Sequence, residues 1–210
     1  MIKRTWATLI KAKILAQASV LEEIGKSPDA LRHLSKKVKS GNAGNVEATA
    51  AQRYWPALFG AEFHRDRSAD DVNVYLNYGY TVLRAATARA IVGAGLHPSL
   101  GLHHKSGGDA LRLSDDLMEP FRPAVDLMAY ELSQEDVGPL NPPLKRRLAG
   151  VLYADYLTEQ GVSTLSNSLS RLAQSLAQIF LGQRKELALP HSAIPLTEDQ
   201  VANLKFDDST

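Results

Sequence analysis

Cysteine is absent from all 210 residues. Disulfides, thiolate metal sites and a cysteine nucleophile are therefore excluded, and the composition fits a reducing compartment. No apolar run approaches the roughly 20 residues that a membrane-spanning helix needs. Lys3 and Arg4 near the N-terminus are not followed by a signal-type apolar core. A soluble, cytoplasmic protein is the expectation. Also missing are alternating strand patterns, repeats of fixed period and low-complexity tracts. No nucleophile elbow supports a Ser/His/Asp site, no Walker-type loop cradles phosphate, and no Glu-x-x-His pairs suggest a di-iron bundle.

What is present is helix after helix, in a chain that is 44% hydrophobic and 22% charged, as in ordinary globular domains. Ile10, Ile14, Ala18 and Leu21 repeat at helical steps over 4–24, closed by Gly25. Ser27-Pro28-Asp29 opens a short helix that Gly41 stops, and Asn45 caps a third running to Phe59. A long helix starts at Ser68 or Asp70 and reaches Ala94. Ser114 caps the next, which Pro120 and Pro123 bend or divide. Further helices follow over 144–158 and, capped by Thr164, to about Lys185. Thr197 to Gln200 form a capping-box pattern for a last short one. The predicted class is all-α, a single helical domain over 1–210 with 188–210 a candidate flexible tail.

The net charge of +1 hides an asymmetry. Before residue 45, nine basic residues outnumber three acids. Between Asp115 and Asp136, seven acids face Arg122 alone. A basic surface beside an acidic pocket suits a metal-dependent enzyme acting on a polyanion, although solvated helix faces produce the same counts. The acidic stretch follows a histidine pair, His103 and His104. A continuous helix there would put Asp116, Glu119 and Asp126 along one polar edge, with Leu113, Leu117, Phe121, Val125 and Met128 opposite. On the third helix, Glu47 shares a face with Ala50, Ala51, Tyr54 and Leu58, where an ionised group needs a cation or a hydrogen-bond partner. Glu47, a loop histidine and Glu119 would make a mixed oxygen and nitrogen set. Mg²⁺ or Mn²⁺ suits it better than zinc, which prefers thiolates or several histidines.

Three stretches carry a family resemblance: VEATAAQRYWPALFG (46–60), DDVNVYLNYGYTVLRAATARAIVGAGLHPSLGLHH (70–104) and LSDDLMEPFRPAVD (113–126). The chain resembles the CRISPR-associated integrases numbered one among those proteins, which insert spacers into the repeat array, and most of all their type II members. The resemblance implies the helical catalytic domain of that fold, with the β-rich N-terminal domain of the family absent. It implies that Glu47, His104 and Glu119 bind the catalytic Mg²⁺ or Mn²⁺, with Asp116 an assisting neighbour. It also implies DNA as partner (protospacer and repeat or leader), together with the small CRISPR-associated protein numbered two and the homodimer of full-length relatives. The reaction is then transesterification, a 3′-hydroxyl attacking a phosphodiester, or hydrolysis with water as attacker. Arg53, Arg84, Lys105, Arg122 and the basic run 145–147 are candidate phosphate contacts. Arg122 is read as touching phosphate in preference to clamping a carboxylate. Tyr54 and Trp55 are candidates for stacking on a splayed base, and Asn77, Tyr78 and Tyr80 for an internal polar network. From the residues alone, a catalytically idle DNA-binding module and a helical protein-interaction domain stay open.

Overall fold

The computed structural model describes residues 1–103, 109–135 and 137–207, with side chains through residue 204. Among the described residues are nine α-helices. They are α1 (Ile2–Glu23), α2 (Asp29–Lys37), α3 (Ala43–Phe59), α4 (Asn73–Gly93), α5 (Arg112–Leu117), α6 (Arg122–Gln134), α7 (Pro142–Ala149), α8 (Leu165–Phe180) and α9 (Glu198–Asp207). None of the described helices is long and apolar enough to cross a membrane. The centre of the packing is α1, whose Leu9, Ile10 and Ile14 are wholly buried. It lies against α2, α3, α6 and a 3₁₀ turn at Glu119–Phe121, while α4 packs on α5, α6, α7 and α8.

Several expected boundaries shift for local reasons. The third helix starts before Asn45, because Asn42 closes the preceding loop, accepting from Lys39 N at 2.7 Å and donating to Lys37 O. Ser114 is not a cap. It lies buried inside α5, and the turn ahead of that helix is closed by Asp109, whose Oδ1 accepts from Leu111 N at 2.9 Å. The helix α4 begins at Asn73, where Asp71 Oδ1 takes the Asn73 N–H. Thr164 does cap α8, accepting from Asn167 N, but that helix ends at Phe180, short of Lys185. The capping box at Thr197 and Gln200 forms reciprocally, with bonds of 2.9 and 3.3 Å.

One correction concerns class. The helix expected over 144–158 stops at Ala149, passes through a 3₁₀ turn at Gly150–Tyr153 and gives way to a hairpin. Strands β1 (Asp155–Thr158) and β2 (Gly161–Thr164) pair antiparallel, Tyr156 opposite Ser163 and Leu157 opposite Val162. The turn needs Gly161 at φ 87°, which a residue with a side chain seldom adopts. Tyr156 then lies buried, edge-on to Phe121. The fold is mostly helical with a small two-stranded sheet, and four-residue strands are too short for an alternating pattern to stand out. The expected loose tail is anchored at its start: His191 N and Leu196 N donate to Leu157 O and Asp155 O, both at 2.7 Å.

Two contacts between α4 and α6 set up everything near the acidic stretch. A Cβ on Gly79 would fall well inside van der Waals contact distance of Val125 Cγ1, so the missing side chain lets the helices meet closely. One residue on, Tyr80 donates from its hydroxyl to Asp126 Oδ1, and Tyr54 from α3 donates to Asp126 Oδ2 at 3.1 Å. Burial pushes the Asp126 carboxyl up to about 6, against the pull of the two tyrosine hydroxyls and of Lys13 and Arg122.

Gly79→Ala gains about 1 kcal/mol of helix propensity, against about 1–3 kcal/mol for forcing a methyl into packed core. The variant should therefore melt lower than wild type, and Val125→Ala in the same chain should recover part of the loss. An unchanged melting temperature would remove the close-approach argument. Because Asp126 holds its proton more tightly folded than unfolded, its contribution is present below about pH 4 and is lost as pH rises through 6. Relative to Asp126→Asn, wild-type stability should fall by about 2 kcal/mol between pH 4 and 7 in urea titrations.

Candidate active site

Three elements bring three long side chains to one point. On α1, positions 6, 9, 10, 14, 17, 20 and 21 are buried, and Lys13 lies on that same stripe with a side chain only 14% exposed. On α3, Glu47 follows Val46 and precedes Ala50, which is wholly buried and small enough for close packing. Glu119 comes from the break between α5 and α6. Pro120 and Pro123 remove backbone donors, so the chain leaves α-geometry after Leu117, passes through the 3₁₀ turn and restarts at Arg122. The turn replaces the predicted polar edge with an inward-facing group: Asp116, Glu119 and Asp126 are all buried, at 0, 3 and 1% exposure.

Lys13 Nζ lies 2.6 Å from Glu47 Oε1 and 2.5 Å from Glu119 Oε2. The other oxygen of Glu119 faces Arg122 Nε at 3.1 Å, and the Arg122 guanidinium sits 5.0 Å over the Tyr80 ring. Burial pulls the Lys13 ammonium down, but attraction to Glu119 and Glu47 outweighs it and leaves Lys13 above its usual value. Arg122 behaves alike, burial opposed first by Glu119, with the net direction upward. Two carboxylates from separate elements thus reach a single cation position, the donor arrangement a divalent ion also needs. Among the described residues, no group of three or more His, Asp or Glu side chains forms a complete metal set. His104, the third expected ligand, and Lys105 lie outside the described residues.

The loop leading to His104 is tethered twice. Asp116 Oδ2 accepts from Leu102 N at 2.5 Å and His103 N at 3.1 Å, so this expected neighbour of the metal set engages the histidine-loop backbone. The His103 ring stacks on Trp6 of α1, centroids 4.4 Å apart and planes 8° from parallel.

Beside Glu119 opens a cleft of about 520 Å³, lined by Arg65, Arg67, Tyr80, Arg84 and Arg122 with Asp109 and Asp115. Arg84 is held by Asp115 at 2.7 and 2.8 Å and by Asp109 at 2.6 Å. Arg65 donates to Asn73 and Asn77, both at 2.7 Å, and lies 5.4 Å from the centre of the Tyr80 ring. Arg122 clamps the Glu119 carboxylate, the role ranked second for it, while still lining the cleft. Tyr54 is fully buried against Asp126 and so presents no face for a base. Trp55 is half-buried among Phe59 and Phe63. Arg53 is exposed on α3. In the basic run, Arg147 pairs with Glu135 and Lys145 lies over Tyr78, so those charges serve neighbouring helices. Asn77 and Tyr80 do join a polar network.

Lys13, Arg65 and Arg67 were missed in the sequence. Lys13 had a readable signal, a lone cation on a mostly apolar helical stripe. Arg65 and Arg67 had none, since their positions depend on how the segment between α3 and α4 folds back.

The family described as CRISPR associated protein Cas1 matches residues 4–138. The chain is 39% identical over 203 residues to the CRISPR-associated endonuclease Cas1 of Neisseria meningitidis serogroup C, covering 94% of this chain and 66% of that protein. It is 36% identical over 141 residues to a CRISPR-associated endonuclease Cas1 of Pyrobaculum aerophilum, covering 63% of this chain and 46% of the relative. In fold it is similar to a casposase bound to integration product, with a TM-score of 0.73 at 22% identity over 99% of this chain and 68% of the other. A Cas1 protein from Thermotoga maritima also gives 0.73, at 16% identity over 88% and 68%. The chain spans 66% and 46% of the length of the two curated relatives just named. The family match extends over more than half of the chain, and the protein belongs to the Cas1 family of CRISPR-associated proteins.

Proposed function

We propose that this chain carries the metal-binding, phosphodiester-transferring part of a CRISPR adaptation integrase. The observation that supports this reading best is the convergence of Glu47 and Glu119 on one cation position beside a cleft lined by arginines. The names of its relatives agree: the Neisseria protein is an endonuclease, and the casposase was seen with an integration product. Glu47 and Glu119, with His104, would hold Mg²⁺ or Mn²⁺. Such an ion neutralises charge on the scissile phosphate and favours attack by an oxygen nucleophile.

The chain's own residues account for the rest. Arg122 fixes the orientation of Glu119, and Asp116 holds the backbone at Leu102 and His103, directly ahead of His104. Arg65, Arg67 and Arg84 line the path by which a sugar–phosphate backbone would approach. In strand transfer, a 3′-hydroxyl oxygen forms the new bond to phosphorus and the former 3′ oxygen leaves. With water attacking, the products are those of a nuclease. The partners proposed are protospacer and repeat DNA and the small protein Cas2. A structure titled as a Cas6-RT-Cas1–Cas2 complex shares this fold, at a TM-score of 0.73 over 90% of this chain and 25% of that one. Homodimer formation belongs to the same proposal.

A second reading, a catalytically idle DNA-binding module, draws on Lys13, which already neutralises the carboxylate pair. Cleavage assays separate the two. Glu47→Ala and Glu119→Ala should each reduce Mn²⁺-dependent cleavage of branched DNA to background while the circular dichroism spectrum is kept. Wild-type activity in either variant would overturn the metal-centre reading. Arg67→Ala should weaken DNA binding at every sequence and flatten the dependence of log K on log salt by about 1, as expected for one lost phosphate contact. An unchanged slope would take Arg67 out of the interface.

A further inference from the structure

Among the described residues, Lys13 is the one charge at the carboxylate pair that the proposed reaction leaves without a role. We infer that Lys13 is a resident counter-ion: its ammonium holds Glu47 and Glu119 together when no divalent ion is bound, and leaves that position when one enters. The inference rests on the reading that this carboxylate pair takes a divalent cation.

The geometry carries it. The ammonium contacts Glu47 Oε1 at 2.6 Å and Glu119 Oε2 at 2.5 Å, so it occupies the space the two oxygens share. A divalent ion held by Glu47 and Glu119 would need the same space, and an ammonium and a metal cation there would repel each other. Occupation by one or the other is therefore exclusive. An arrangement with neither is costly, because Glu119 is only 4% exposed in its side chain and Glu47 23%. Two largely desolvated carboxylates facing each other lack the cation that offsets their desolvation.

The two basic groups described at the site differ in their freedom to move. Arg122 is a planar guanidinium placed between Glu119 Oε1 and the Tyr80 ring, so two directions of contact hold it. Lys13 is a point charge on a flexible four-carbon stem, anchored in the middle of a long helix whose backbone need not shift. Exchange then requires only rotation of one side chain toward the more open Glu47 side. Arg122 stays, and keeps Glu119 oriented through the exchange.

The test compares wild type, Lys13→Met and Lys13→Arg by thermal melting and by calorimetric titration with Mn²⁺ alone, without DNA. Without metal, Lys13→Met should melt about 10 °C lower than wild type. Its Mn²⁺ affinity should rise about tenfold, because no ammonium has to be displaced. At saturating Mn²⁺ the melting temperatures of the two should converge. Lys13→Arg keeps the charge in a fork that grips carboxylates in two places, so its metal-free melting temperature should stay near wild type while Mn²⁺ binding weakens about tenfold. Equal Mn²⁺ affinity in all three proteins, or weaker binding by Lys13→Met, would overturn the exchange. Should Lys13→Met fail to fold, the weakened binding of Lys13→Arg decides the matter alone. Glu47→Gln separates the two levels of the argument. If wild type shows no Mn²⁺ binding that Glu47→Gln removes, the metal-centre reading falls and the exchange with it. If wild type binds through Glu47 and the lysine variants bind equally well, only the exchange falls.

Discussion

The cluster of Lys13, Glu47, Glu119 and Arg122 is the constraint on which the rest of this molecule depends. Among the described residues, four charged side chains meet inside a helical packing, two of each sign, and each has a partner of opposite charge. Such clusters add little net stability over an apolar equivalent, yet removing one member strands a buried charge at about 3–5 kcal/mol. The cluster therefore acts mainly as a specification. It fixes α1, α3 and the turn before α6 at one distance from each other, and any arrangement that separates them exposes an unpaired carboxylate.

The surrounding packing serves that specification. Gly79 lets α4 approach α6 until Tyr80 reaches Asp126, and Tyr54 reaches the same carboxylate from α3. Tyr80 meets the Arg122 guanidinium with its ring face, so one tyrosine links the buried acid, the carboxylate clamp and the arginine-lined cleft. The hairpin adds a further support. Tyr156, buried and packed edge-on against Phe121, supports the 3₁₀ turn from the hairpin. Asp116 and Trp6 hold the chain that leads into the histidine loop.

Much of this was legible in the residue order, and where it was not the reason can be named. The helices over 2–23, 43–59 and 73–93 follow from apolar spacing, and the division near Pro120 follows from missing backbone donors. The hairpin was hidden, because its four-residue strands carry too little pattern to compete with a helical reading of the segment before them. Ser114 looked like a cap since serine before acids usually is one, but Asp109 closes the turn ahead of α5 instead. Lys13 was visible as an anomaly on a mostly apolar stripe, while its partners, 34 and more residues away, were not.

Sequence by itself determined the mostly helical character, Glu47 as an acid on a packed helix face in need of a cation or a hydrogen-bond partner, and membership of a family through motifs spread over 46–126. Those properties are local: periodicity, proline chemistry and residue type act within a turn or two of the chain. Only the tertiary structure decided that a lysine and an arginine divide the two oxygens of Glu119 and that Asp116 fastens a loop. It also decided that Tyr54 belongs to the core. Each of these depends on which helices come within hydrogen-bonding distance, and that is set by the summed packing of α1, α3, α4 and α6.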